Sequence, residues 1–347
     1  MTKRSTKPGL KQVAALAGVG YATASRALSG RGYVAAATKE KVHAAAKELG
    51  YTPNLLAKAL REDRTNLVGV ILPNLVNEFY SDATEVIQDG LARAGFRMLV
   101  IAADDAQSQE QAVAELVEHK VAGIIQVPVH GAKASAAGNV PVVQLNRDEI
   151  AGAPAVLCDD ARGFEELAGI VARRFQEPDV VAVMGDKDLS TTRARLAGIE
   201  TKFPQVRRVH GEYTAASGRK LCAQLLDAED PPRALIVSSP RLMAGVLAEI
   251  RARGLSVPGD LSVVGYDDPE WYGFFASGIT TFSPDHQEMG RKVVRMLLDR
   301  VRGEESAALH GSSVGDTARS SGPGQGVGDR RVELVPGHVI RRASHES

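Results

Sequence analysis

Cysteine is almost absent. The two that occur among 347 residues, Cys158 and Cys222, lie far apart and offer neither a metal-ligand spacing nor a disulfide framework. Both sit in apolar stretches, so buried, inert thiols in a reducing cytoplasm are the expectation. Long apolar runs are missing too. No stretch approaches the roughly 18 uninterrupted apolar residues of a membrane helix, and "MTKRSTKPGLK" is basic without the apolar core of a signal peptide. A soluble, cytoplasmic protein with no membrane partner is expected. The eight histidines form no H-E-x-x-H or similar cluster, and no metal or cofactor is expected. The acidic pairs Asp104-Asp105 and Asp159-Asp160 have the chemistry for acid–base work, but solvated strand ends explain them as well. "GSSVG" at 311–315 matches the G-x-S-x-G elbow, yet that motif needs a strand-to-helix turn. Here it falls in a Gly- and Ser-rich segment. No catalytic residue set emerges, and an enzyme is disfavoured.

Net charge is absent only in total. Residues 1–64 carry a formal charge of +8 and the remainder −8. A basic head on an acidic body points to a polyanion at one end, with a solvated basic tail as the alternative. The length suggests two or three domains.

Residues 10–50 read as three short helices, with Val13 and Leu16, then Ala24 and Leu28, then Val42, Ala46 and Leu49 at helical spacing. "GVG" separates the first two helices, and Gly50 is placed to end the third. From Leu67 the pattern changes. "LVGVILP", "RMLVIAA", "VAGIIQVPV", "VPVVQLN", "DVVAVMG", "ALIVSS" and "LSVVGYDD" are strand-length apolar runs, and most alternate with amphipathic helices. Such alternation predicts parallel sheets covered on both faces, and about 270 residues of it fit two doubly wound lobes. Residues 303–331 are expected to be a flexible insertion, followed by a last strand or two in "VELVPGHVIRR".

"GVGYATASRALSG" at 18–30 poses the functional question. A phosphate cradle needs a third glycine three positions after the second and a strand before it. Position 23 is Thr, and a helix precedes. Helix, tight glycine turn and second helix instead make a helix-turn-helix, whose second helix enters the major groove. With Ala24 and Leu28 facing inward, Tyr21, Ala22, Ser25 and Arg26 are left outward. Arginine can bond guanine O6 and N7 together, and a small apolar group can meet a thymine methyl. A three-helix bundle without a DNA role remains the alternative.

The stretch "LKQVAALAGVGYATASRALSGRGYVAAATKEKVHAAAKELGYTPNLLAKALREDRTNLVGVILP" closely resembles the head and hinge of LacI/GalR-family transcriptional regulators. The likeness continues through "VNEFY", "VAGII", "CDDARG", "RARLAGI", "YTAASGR", "PGDLSVVGYDD", "TTFSPDHQEMG" and "VIRRAS". It implies an α/β chain: an all-α helix-turn-helix head over 1–52, a hinge helix and linker over 53–66, and a two-lobed, periplasmic-binding-protein-like effector and dimerisation domain over 67–347. In the resemblance, Tyr21, Ala22 and Arg26 match base-reading positions. Thr23, Ser25, Ser29, Thr38, Tyr51 and Asn54 match phosphate contacts, and Leu60, with Ala57 beside it, matches the wedge pressed into the minor groove. The implied partners are a palindromic operator, a second copy of the chain and a small-molecule effector.

Effector positions carried over are Asn77, Phe79, Asn146, Arg147, Asp159, Arg195, Tyr213 and Asp267. Their mix of charge and flat apolar faces suits a sugar, while capping or inter-lobe packing is the alternative for each. Three departures stand out. Gly9, Gly20 and Ala35 replace the Thr or Ser usual before each head helix, so a weaker head is expected. Ser239-Pro240 replaces the usual Asn-Asp, and Pro284 the usual Gln. Sugar phosphate, nucleobase or no effector at all therefore stay open. "WYGFF" at 271–275 reads as a lid or as a buried lobe or subunit contact. A solute-capture protein for a transporter uses similar paired lobes, but the basic head and missing signal peptide argue against it.

Overall fold

The computed structural model describes residues 8–29, 33–51, 65–275, 278–311 and 330–346. They fall into two compact units, Met1–Thr65 and Asn66–Ser347. The first holds α1 (Leu10–Leu16), α2 (Tyr21–Ser29) and α3 (Ala36–Glu48). Two of these helices end in the same way. Gly18, at φ 67°, and Gly50, at φ 61°, each take the left-handed conformation that follows a helix. Gly18 N–H donates to Ala15 O and Val19 N–H to Ala14 O, and Gly50 and Tyr51 repeat the pattern on Lys47 and Ala46. Both are Schellman motifs. The glycine before α2 is thus a helix stop that starts a turn.

The buried core of this unit is small: Val13, Ala14, Ala24, Ala27, Val42, Ala45 and Ala46. Leu10, Val19, Leu28, Val34, Leu49 and Tyr51 pack against it only in part. Leu16, expected inside, is 47% exposed, and Ala27 takes the buried place expected of Leu28. Alanines bury little apolar area, so each contributes little burial free energy.

The second unit begins with β1 (Leu67–Leu72), α4 (Glu78–Arg93), β2 (Arg97–Ala102), α5 (Ala106–Glu118), β3 (Gly123–Gln126), β4 (Val142–Leu145) and β5 (Ala155–Cys158). It crosses into α6 (Asp160–Val171), β6 (Val180–Met184), α7 (Ser190–Glu200), β7 (Arg207–His210), α8 (Ala215–Leu226), β8 (Ala234–Val237), α9 (Pro240–Ala252), β9 (Ser262–Tyr266), α10 (Trp271–Phe274) and β10 (Thr280–Ser283). It then returns through α11 (His286–Gly311) to β11 (Val332–Val335) and crosses once more to β12 (His338–Ile340).

Two six-stranded sheets result, ordered β11-β5-β4-β3-β1-β2 and β12-β10-β9-β8-β6-β7. Every pairing is parallel except β12 on β10. In lobe 1, Val68, Val70 and Leu72 join the core shared with α4 and α11, while Ile71 points to the α5 side. In lobe 2, α8 and α9 cover one face. One apolar core runs through both lobes, with Val68, Phe79 and Val335 joined to Phe164, Tyr266 and Phe282. At the crossing, the Phe282 ring fills the places where Gly163 and Gly337 would carry a Cβ, 2.3 and 2.5 Å from the nearest ring atoms.

The alternating architecture is as expected, with one correction. The helix α11 reaches Gly311, into the segment expected to be a flexible insertion. The rest of that segment, 312–329, lies outside the described residues. The edge strand β12 is antiparallel to β10 in an otherwise parallel sheet. Both cysteines are free and buried. Burial pushes the Cys158 thiol well up and the Cys222 thiol to about 12, as inert thiols require.

Candidate functional site

On the head, α2 presents Tyr21, Ala22 and Arg26 outward, Tyr21 at 49% exposure. Arg26 Nε donates to Ala22 O at 3.3 Å, which lays the side chain along the helix. Thr23, Ser25 and Thr38 are half-buried, as is Tyr51. Ser29 is the last residue of α2. Asn54, Ala57 and Leu60 lie outside the described residues.

The capping departures are visible. Gly9 has no side chain, so only the returning half of a capping box exists there: Gly9 N–H donates to Gln12 Oε1 at 2.6 Å. Ala35 precedes α3 with no cap at all. Gly20 has open space where a Cβ would stand. Ala35→Ser should therefore stabilise the head by about 1 kcal/mol, and Gly20→Ser by a few tenths, measured by thermal unfolding. Gly20→Ser should also tighten duplex binding in a gel-shift titration. No gain, or a loss, counts against a phosphate role for that turn.

In the second unit, most matched positions lie at or just past carboxyl ends of strands, where open α/β sheets place ligands, while Arg195 lies inside α7. Asn77 caps α4, accepting from Phe79 N–H at 3.2 Å. Asn146 follows β4 and Asp267 follows β9, both at positive φ (65° and 67°). Asn and Asp tolerate this backbone better than most residues.

From there a contact network crosses the lobes. Arg147 donates to Pro128 O and to Tyr80 Oη, each at 3.1 Å, and its guanidinium lies 5.8 Å from the Tyr213 ring centre. Tyr213 Oη lies 3.0 Å from Thr192 Oγ1. Phe79 meets Tyr80 and His286 edge-on at 5.5 and 4.9 Å. His286 Nε2 stands 3.1 Å from Asp267 Oδ1. A second tie runs along the backbone: Asp148 N–H donates to Ser190 Oγ at 2.9 Å, and Ser190 N–H to Glu149 Oε1 at 2.7 Å. A carboxylate of lobe 1 thus sits at the N-terminus of α7 in lobe 2.

Arg195 has a different setting. It is 3% exposed, with Nε 2.8 Å from Asp160 Oδ2 and one terminal nitrogen 2.7 Å from Ser238 O. Its guanidinium covers the Tyr266 ring at 3.7 Å. Burial works against its charge, but Asp160 beside it pushes the pKa the other way and net upward, while burial raises the Asp160 carboxyl against the pull of Arg195. Asp160 is thus buried inside the site rather than on a solvated strand end. Asp159 next to it caps α6, accepting from Arg162 N–H at 3.4 Å.

Sequence reasoning missed Tyr80, Asp160, Thr192, Glu78 and His286. Only their closeness to matched positions signalled them, and all but Thr192 fall within the quoted segments. Ser239 and Pro240 start α9, with Ser239 Oγ accepting from Leu242 N–H at 3.2 Å and proline in the first turn. The 271–275 segment divides: Tyr272 is buried, Trp271 lies against Glu78 of lobe 1, and Phe274 is exposed.

Several buried polar atoms in the crevice lack a partner, among them Asn146 Oδ1, Arg147 Nε and Asp267 Oδ2. The cavity of about 450 Å³ beside Arg173, Phe175 and Arg341 holds none of these atoms.

The model for bacterial regulatory proteins of the LacI family matches residues 9–54, and that for a periplasmic binding protein-like domain matches 191–314. A solved structure from Corynebacterium glutamicum, assigned to transcription repressors of the LacI family, is 37% identical with a TM-score of 0.69, over 82% of this chain and all of that one. The HTH-type transcriptional regulator DegA of Bacillus subtilis is 26% identical over 317 residues, 87% of this chain and 94% of DegA. The lac repressor dimer bound to operator and the anti-inducer ONPF is 25% identical with a TM-score of 0.79, over 99% of this chain and all of that one. No helix among the described residues is long and apolar enough to cross a membrane. With a helix-turn-helix at its start and paired parallel-sheet lobes behind it, this chain belongs to the LacI family of bacterial regulatory proteins and is a transcriptional regulator, not an enzyme.

Proposed function

We propose that this regulator works in the cytoplasm as a homodimeric repressor on a near-palindromic operator, and that a small sugar held in the crevice changes its operator affinity. Tyr21, Ala22 and Arg26 read base edges. Thr23, Ser25, Ser29, Thr38, Tyr51 and Asn54 hold phosphates, and Ala57 and Leu60 of a hinge over 53–66 press into the minor groove. The head spans 1–52 and the effector domain 67–347.

One observation carries the effector half of this reading. Asn146 Oδ1, Arg147 Nε and Asp267 Oδ2 are buried without partners at the ends of strands in both lobes. An orphaned buried polar atom costs about 1–3 kcal/mol, and three in one crevice favour a ligand that supplies both donors and acceptors. Hydroxyl groups do both. Phe79 and Tyr213 supply apolar faces for the C–H side of a sugar ring. Effector contacts are assigned to these five residues and to Asn77, Asp159 and Arg195, the last held ready by Asp160.

The test selects duplexes from a random pool, then screens sugars, sugar phosphates and nucleobases for a change in duplex affinity. A sugar should change it, and Asp267→Ala should remove the response while leaving duplex binding intact. Binding of a metabolite in the crevice with no change in duplex affinity would refute the proposal.

A further inference from the structure

We infer that His286 is a proton-operated clasp: protonated, it holds lobe 2 to lobe 1 across the effector crevice, and neutral, it lets the lobes part. The inference concerns regulation of the same crevice and takes the effector reading only for its consequence there.

The geometry is asymmetric in a useful way. His286 is the first residue of α11, just beyond the crossing out of β10, and its side chain is 15% exposed. Lobe 1 fixes the ring. Phe79 meets it edge-on at 4.9 Å, and Asp82 of α4 places Oδ2 3.8 Å from Nδ1. Lobe 2 offers one partner, the Asp267 carboxylate, at 3.1 Å from Nε2. That approach lacks the alignment of a regular hydrogen bond, and Asp267 Oδ2 has no partner of its own. Attraction between these two groups therefore depends on charge.

The charged surroundings of the ring are almost all acidic. From α4 come Asp82 and Glu78. From the end of β9 come Asp267 and Asp268, the latter occupied by Arg342 at 2.6 Å. From the start of its own helix come Asp285, the residue before it, and Glu288, the latter engaged by Arg291 at 3.0 Å. Arg241 of α9 acts on Glu78. Burial alone draws the imidazole toward neutrality, but Asp267, Asp82 and Asp285 outweigh it and hold the pKa above its ordinary value. The sign follows. The clasp is complete below the ordinary imidazole pKa and is lost as pH rises through the elevated one. Beyond that point the buried Asp267 carboxylate loses its cation while Glu78 and Asp82 remain acidic neighbours, so parting becomes favourable.

The chain carries its own reporter. Trp271 is its only tryptophan, placed on lobe 2 against Glu78 of lobe 1. Full-length protein without effector or duplex is titrated from about pH 6 to about pH 9, a span that brackets an elevated histidine and stops short of tyrosine. Trp271 emission should shift in one step. NMR of the His286 imidazole should titrate with the same midpoint, above about 6.5. His286→Gln should abolish the step. Asp82→Asn, a change at an exposed position, should move the midpoint to lower pH in an intact fold. The inference is overturned if His286 titrates at or below its ordinary value, if the emission step survives in His286→Gln, or if Asp82→Asn leaves the midpoint unmoved. Neither effector nor duplex enters this measurement, so its failure leaves the effector proposal standing, and a failed metabolite screen leaves the clasp standing.

Discussion

Asp160→Ala is expected to lower the stability of the effector domain by about 3–5 kcal/mol, the penalty for leaving one charge of a buried pair without its partner. The carboxylate and Arg195 are both nearly inaccessible to water. Ser238 O and the Tyr266 ring would remain as partners for the guanidinium, but neither neutralises it. Arg195 is too enclosed to reach solvent without moving α7, which packs on α6. The loss should appear as a lower urea midpoint with an unchanged slope, since the surface exposed on unfolding is the same. Asp160→Leu combined with Arg195→Met should recover much of the loss, because removing both charges also removes the desolvation penalty. That double variant should still fail to respond to effector. A loss below about 1 kcal/mol in Asp160→Ala, the scale of an exposed pair, would mean that water reaches the site.

Asp160 also illustrates the limit of what the sequence made legible. The two lobes could be read because β1, β3, β6, β8 and β9 are apolar runs between amphipathic helices. The elements that escaped are those whose apolar pattern is interrupted by site chemistry or edge position. The helix α7 buries Thr191, Thr192 and Arg195 alongside Ile199, so its inward face does not look apolar. The strand β10 is Thr-Thr-Phe-Ser and fully buried, with Thr281 Oγ1 donating to Asp267 O. The edge strand β7 is half-exposed and basic. Tertiary context decides all three.

Asp104-Asp105 and Asp159-Asp160 look alike in sequence. Asp105 caps α5, accepting from Ser108 N–H at 2.8 Å, as a helix start suggests. Asp159 does the same for α6, and Asp160, the first residue of that helix, is buried. Only the position of Arg195, 35 residues later in the chain, turns that buried carboxylate into a partner. Resemblance indicated Arg195; for Asp160 the only local signal was its place beside Asp159. In the head, small residues at helical spacing gave the bundle, but which of Ala27 and Leu28 lies deepest depends on how closely α2 approaches α1 and α3.

Arg26→Ala is expected to erase discrimination at one base pair of each half-site, by about 1–3 kcal/mol per half-site, and by about 2–6 kcal/mol on a dimeric operator if the half-sites act independently. The effect follows from where α2 places its polar atoms. Ala24 and Ala27 are buried and fix the rotation of the helix, so Tyr21, Ala22 and Arg26 share the outer face. An arginine there can donate two parallel bonds to guanine, and alanine at 26 could donate none. Thr38→Ala is the contrasting change. At a position assigned to phosphate, it should weaken all duplexes alike and leave the base preference intact. Binding titrations on the selected duplex and on single-base variants separate the two patterns. Arg26→Ala should bind the selected duplex and its variant at the affected position equally well. If the variant protein kept the wild-type preference at every position while losing affinity uniformly, Arg26 would be a phosphate contact and the rotation of α2 in the groove would have to be reassigned.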